Sequence, residues 1–233
     1  MSRRIEGGLS TQLNPFGPQW PSTKSGEAAP VGQQVQQTLF GKSKPLVLDA
    51  AEYPELADLL EVLRKYVNKL ARMAGDAEGD YALALANGTI AMIDSSGVIY
   101  IGAGFLSAFK NVLDVLVGVV AHEVGHRPKR WTEYQVRKQL THKEIEYICR
   151  HEETRADIFA GKGLAELGFD CEPLCNFLAR VADKPHPEYF PADVRAEVIR
   201  DAFAGRAYRA VNRKKIFPGF DRMTAPKGDL GEF

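Results

Sequence analysis

Cysteine is scarce in this chain of 233 residues: Cys149, Cys171 and Cys175 form an odd set without a Cys-x-x-Cys pair. That argues against a disulfide framework and fits a reducing, cytoplasmic setting with plain buried thiols. Neither charge is in excess, since thirty basic residues offset thirty acidic ones, so nucleic acid and anionic membrane surfaces are not expected partners. Long apolar runs are missing too. The longest, Val115 to Ala121, is far short of the roughly 20 residues of a spanning helix, so no integral membrane segment is expected. The charged N-terminus has no apolar stretch behind it, which argues against a secretory signal peptide. Residues 1–44 lack any sustained apolar period and are rich in Gly, Gln, Ser and Pro, the composition of a disordered N-terminal arm. A prosegment or an address for non-classical export is the alternative for that arm. It holds no cysteine or histidine with which to block a metal.

Beyond the arm the pattern is that of one folded domain, residues 45–215, followed by a Pro/Gly-interrupted tail, 216–233. From Tyr53 to Met73, Leu56, Leu59, Leu60, Leu63, Val67 and Leu70 recur at helical spacing, with Pro54 suited to a first turn. Three β-like runs follow at Tyr81–Ala86, Thr89–Ile93 and Val98–Ile101. Asn87-Gly88 and Asp94-Ser95-Ser96-Gly97 separate them, so a small antiparallel sheet is expected. Phe105 to His126 reads as one helix that becomes apolar on every side by Val115, and hence lies sunk in the core. A further helix is expected from about Thr141, a suitable N-cap, to Leu167, with Gly168 as its stop. Two more follow, around Glu172–Ala182 and Ala192–Ala210. The fold class is α+β and mainly helical.

His122-Glu123-Val124-Gly125-His126 is an HExxH motif, whose i, i+4 spacing puts both imidazoles on one helix face, able to grip one zinc ion. A catalytic zinc takes three protein ligands and leaves its fourth position to water. The short third-histidine arrangement HExxHxxGxxH is ruled out, because Lys129 and Thr132 stand where it needs glycine and histidine. The third ligand therefore lies further downstream. Within His151–Asp157, helical phase puts Glu153 on a stripe with Cys149, Ala156, Asp157, Ala160 and Leu164, whereas Glu152 falls near Ile148, Arg155 and Phe159. The small residues Ala156, Ala160 and Gly161 would let this helix approach Ala121–Gly125 closely, and Gly125 fits the same close packing. Asp157, one turn after Glu153, is placed to fix the second ring nitrogen of a bound histidine.

Gly102–Leu106, Val119–His126, Glu153–Asp157 running on to Gly161, and Leu167-Gly168-Phe169-Asp170 together resemble the CAAX prenyl protease and HtpX-like gluzincins, more closely their membrane-free members. The resemblance covers roughly residues 45–200. It implies a zincin-like fold and a zinc endopeptidase acting on protein or peptide substrate, with one Zn2+ held by His122, His126 and Glu153. Glu123 would be the general base and Asp157 the partner of His122. It further implies a substrate-pairing strand at Ile90-Ala91-Met92-Ile93. A late histidine that steadies the oxyanion, followed by an arginine matched here by Arg195, is also implied. Aligned on Arg195 without a gap, Tyr189 takes that histidine's place; with three inserted residues, His186 does. The alternatives to a peptidase of the cytoplasm are a non-catalytic binding module on the same fold and an exported, effector-type peptidase.

Overall fold

Pro54 has no amide hydrogen to satisfy and a φ already suited to a helix, and α1 (Pro54–Met73) starts there. The computed structural model describes residues 43–128, 135–136, 142–181, 189–206 and 223–224. Leu56, Leu60, Leu63, Val67 and Leu70 form the buried face of α1, while Leu59 is only partly covered. A single 3-10 turn, Ala50–Glu52, precedes the helix, capped by Asp49, which accepts a hydrogen bond from the Ala51 amide at 2.9 Å.

The sheet departs from the all-antiparallel expectation. Its strands β1 (Ala82–Ala86), β2 (Ala91–Ile93) and β3 (Val98–Gly102) lie in the order β1-β3-β2, with β2 antiparallel and β1 parallel to β3. Asn87-Gly88 therefore does not close a hairpin. The reason is long-range: Leu46–Leu48 occupies the outer edge of β1, where Leu48 donates to Leu85 O and Asn87 donates to Leu46 O, both at 2.9 Å. The chain instead crosses to the far side of β3. Gly102 permits that crossing, since a Cβ there would run into the Thr89 carbonyl, and its amide donates to Ile90 O at 2.9 Å. Among the described residues no strand pairs with the outer edge of β2.

The β2–β3 turn is organised by one carboxylate. Asp94 accepts from the Ser96 amide (2.9 Å), the Ser96 hydroxyl (2.6 Å), the Val98 amide (3.0 Å) and the Tyr100 hydroxyl (3.0 Å), and pairs with Lys44 Nζ at 2.7 Å. Burial opposes its charge, but the Lys44, Ser96 and Val98 donors outweigh burial and hold its pKa well below the carboxylate range. A group whose pKa is depressed on folding stabilises most above its unfolded pKa, about 4, and loses that contribution as pH falls toward the folded value. Asp94→Ala should thus cost about 1–3 kcal/mol at neutral pH, because it strands the buried Tyr100 hydroxyl and the Val98 amide. Denaturant melts from pH 7 to pH 2 check this. A variant whose stability falls with acid as steeply as the parent's contradicts it.

After β3 the expected single helix is two, α2 (Ala103–Phe109) and α3 (Leu113–Gly125). Val112, β-branched and held at φ −128°, ψ 72°, interrupts the helical path. The break lets α2 set Phe105 and Phe109 against Phe177, with ring centroids 5.4 and 5.2 Å away. α3 is buried on all sides as its sequence predicts and contacts α1, α2, β2 and two of the helices that follow.

Those later helices are α4 (His142–Leu167), α5 (Glu172–Val181) and α6 (Ala192–Phe203); α3 packs on α4 and α5, and α6 covers α4 and α5 in turn. Gly168 ends α4 at φ +76°. α6 ends at Phe203, ahead of the Ala210 read from sequence, where Gly205 turns the chain at φ +68°. Gln135–Val136 (β4) and Met223–Thr224 (β5) form a separate two-residue antiparallel ladder. Among the described residues the result is an α+β architecture of six α-helices and a three-stranded mixed sheet. Cys149, Cys171 and Cys175 are buried and join no disulfide. Among the described residues no helix is long and apolar enough to cross a membrane. The arm at 1–44 and the tail at 216–233 fall outside the described residues, apart from 43–44 and 223–224.

Candidate metal centre

The centre forms where two helices come unusually close. A Cβ on Gly125 of α3 would stand 2.9 Å from Ala156 Cα and 3.0 Å from Phe159 Cβ, so only glycine lets α4 approach to this depth. Gly161 serves another contact, since a Cβ there would collide with the Ile199 carbonyl of α6. Gly125→Ala is expected to cost about 1–3 kcal/mol by overpacking and to weaken metal binding in the same protein, because it pushes Glu153 away from the histidines. Thermal melts and a metal titration read both effects. An unchanged Tm together with unchanged affinity contradicts the role given to this glycine.

His122 and His126 project from one face of α3, with ring centroids 4.8 Å apart. Glu153 of α4 faces them, its Oε2 3.2 Å from His122 Nε2 and its Oε1 3.8 Å from His126 Nε2. One ligand atom from each of the three residues lies within 4.8 Å of the others. Two ligands bound at 2.0–2.1 Å to a tetrahedral metal stand about 3.4 Å apart, so the spacing suits a cation of that class. Glu153 Oε2 is buried without a hydrogen bond, which leaves a carboxylate lone pair in want of a cation. Two imidazoles and a carboxylate suit a first-row divalent metal. The group can therefore hold a metal ion.

Behind the donors sits a charged relay. Asp157 Oδ1 lies 3.0 Å from His122 Nδ1, and the approach is off the axis of a good hydrogen bond. The same carboxylate accepts two bonds from Arg195 of α6, Nε to Oδ2 at 2.7 Å and Nη2 to Oδ1 at 2.8 Å. Burial disfavours charge on all of them, but pairing prevails. His122 is raised to about 10 by Asp157 and Glu153 against the opposing pull of burial. Glu153 is held well below the carboxylate range by His126, His122 and Arg195, and Asp157 is lowered mainly by Arg195.

The far end of α3 is clamped as well. Arg127, directly after His126, is held at φ +44°, a left-handed conformation uncommon outside glycine. Its guanidinium is bidentate on Asp76, at 3.0 and 2.8 Å, and Tyr81 donates to the same carboxylate at 2.6 Å.

The centre opens into a pocket of about 120 Å³. His122, Glu123, Asp157, Arg195 and Tyr189 are among its lining residues, as are the edge residues Ile90 and Ala91. Tyr189 lies under Arg195, whose Cζ is 5.1 Å from the ring centroid. Of the expected site residues, His122, Glu123, His126, Glu153, Asp157, Arg195, Tyr189, Ile90 and Ala91 thus converge. Met92 and Ile93 do not line the pocket, and Ile93 faces the core. His186 falls outside the described residues. Glu152 is buried like Glu153, contrary to the phase argument, but its carboxylate lies 3.3 Å from Arg155 and it is not one of the three metal-donor residues.

Sequence reasoning missed the apolar part of the lining, contributed by Val119, Leu174, Phe177, Leu178, Val181 and Ile199. Its signal was the helical spacing of Leu174, Phe177, Leu178 and Val181, which reads equally as core. No family model, curated protein or solved structure matches this chain.

Proposed function

We propose that the chain is a zinc-dependent endopeptidase on a zincin-like fold, related to the membrane-free gluzincins that its motifs resemble. The observation that carries this reading is the convergence of His122, His126 and Glu153, with Glu123 on the adjoining pocket wall. A structural metal site needs no such carboxylate beside it. When bound, zinc would supply Lewis acidity toward a carbonyl and lower the pKa of a water molecule.

The remaining work falls to the chain's own groups. Glu123 takes a proton from the attacking water and delivers it to the leaving amine. Asp157, fixed by Arg195, orients the His122 ring. Ile90 and Ala91 border the pocket on a strand edge that no described strand occupies, which suits pairing with an extended substrate. Tyr189, on the same pocket, can donate a hydrogen bond to the developing oxyanion. The three buried cysteines, joined in no disulfide, agree with work in a reducing compartment.

The test is elemental analysis of the purified full chain beside a proteome-derived peptide library. The expected result is one zinc per chain and cleavage that a chelator abolishes and added zinc restores. Stoichiometric metal without any cleavage favours the binding module instead.

A further inference from the structure

A polar cluster joins the C-terminal ends of α1 and α3 directly beyond His126. α1 closes on Gly75 at φ +74°, and the Asp76 amide donates back to Ala71 O at 2.9 Å, so main-chain bonds fix where Asp76 leaves the helix. α3 ends in a tightened turn. There the His126 and Arg127 amides donate to Glu123 O and Val124 O, at 3.3 and 3.1 Å. Arg127 then turns left-handed at φ +44°, where helices most often carry glycine. Such a backbone is strained for arginine, so a contact from outside the helix must hold it. Asp76 supplies that contact, accepting from the guanidinium with both oxygens at 3.0 and 2.8 Å. Tyr81, 8% exposed, donates to Asp76 at 2.6 Å and stands 3.4 Å from Val124 O, the carbonyl that accepts from Arg127.

The cluster bears on the metal centre through His126. His122 lies within α3 with Asp157 at its ring, whereas His126 is the cap at which the helix stops. Helix ends fray, and a ligand there loses its spacing to a partner one turn back when they do. We propose that Asp76, Arg127 and Tyr81 are positioning residues for His126: they pin the left-handed turn that stops α3. His126 is thereby kept at the spacing at which it shares a divalent cation with His122 and Glu153. The inference rests on the metal-binding part of the proposed function and not on its peptidase part.

Arg127→Gly separates positioning from folding, because glycine takes the left-handed turn without strain but carries no guanidinium. Asp76→Asn removes the charge from the other side and leaves the main-chain bonds of the α1 turn in place. The probe is cobalt(II), titrated into the chelator-treated full chain and read by its d–d absorption, beside thermal melts of the metal-free proteins. Each variant should bind cobalt about 10- to 100-fold more weakly than the parent, the loss seen when a supporting partner of a metal ligand is removed. Metal-free Arg127→Gly should melt close to the parent. The double variant should bind no more weakly than the weaker single, since both changes break one contact. Parent-like cobalt affinity in both single variants overturns the positioning role and leaves the metal centre standing. A large fall in the Tm of Arg127→Gly assigns the cluster to folding and overturns the role as well, as do additive losses in the double variant. A parent that takes up no cobalt overturns the centre, and the role of the cluster with it.

Discussion

Glu123→Gln is expected to lower kcat/KM by about 10²- to 10⁴-fold while zinc stoichiometry and Tm stay at the parent's values. Glutamine keeps the size and hydrogen-bonding reach of glutamate but cannot accept a proton. The residue adjoins His122 in the chain, lies on the pocket wall and is 8% exposed, so it is shielded from bulk water yet open to a bound substrate. It is not one of the three residues whose donor atoms cluster, and its removal as a base leaves those donors in place. Single-turnover cleavage with parallel metal analysis makes the comparison. Full turnover in a zinc-loaded Glu123→Gln protein sinks the general-base assignment, and loss of the metal shows that Glu123 is part of the metal site.

Much of the centre was legible because its chemistry is local. Four residues of helical spacing set the direction of His122 and His126, and a burial stripe set that of Glu153 and Asp157. The stripe was still too narrow a guide. It left Glu152 off the buried face, yet a second face of α4 is covered as well, and what distinguishes the two carboxylates is the partner each meets. What sequence concealed is what depends on distant pairing. Asn87-Gly88 has hairpin chemistry, but Leu46–Leu48 already holds the edge that a hairpin would use. Val112, between Lys110-Asn111 and Leu113-Asp114, hides a helix break inside a span that reads as one helix. The apolar face of α5 resembles any core stripe, because hydrophobic spacing records that a surface is covered and not by what.

The ligand assignment is settled by comparing three buried carboxylates, each changed to its amide. Glu153→Gln should abolish stoichiometric zinc binding, since the carboxylate whose oxygens lie 3.2 and 3.8 Å from the two imidazoles is lost. Glu152→Gln should leave zinc binding intact, because its partner is Arg155. Asp157→Asn should keep a weaker site, with affinity reduced about 10- to 100-fold, as expected where an outer partner of a metal-bound histidine is neutralised. It should also destabilise the fold by about 3–5 kcal/mol, because the buried Arg195 guanidinium loses its bidentate counterion. The two readouts together are decisive. A carboxylate that binds metal and carries no arginine should fail chiefly in metal content, and one that carries the arginine should fail in stability as well. Zinc retained by Glu153→Gln but lost by Glu152→Gln or Asp157→Asn moves the third ligand to the residue whose change removed it.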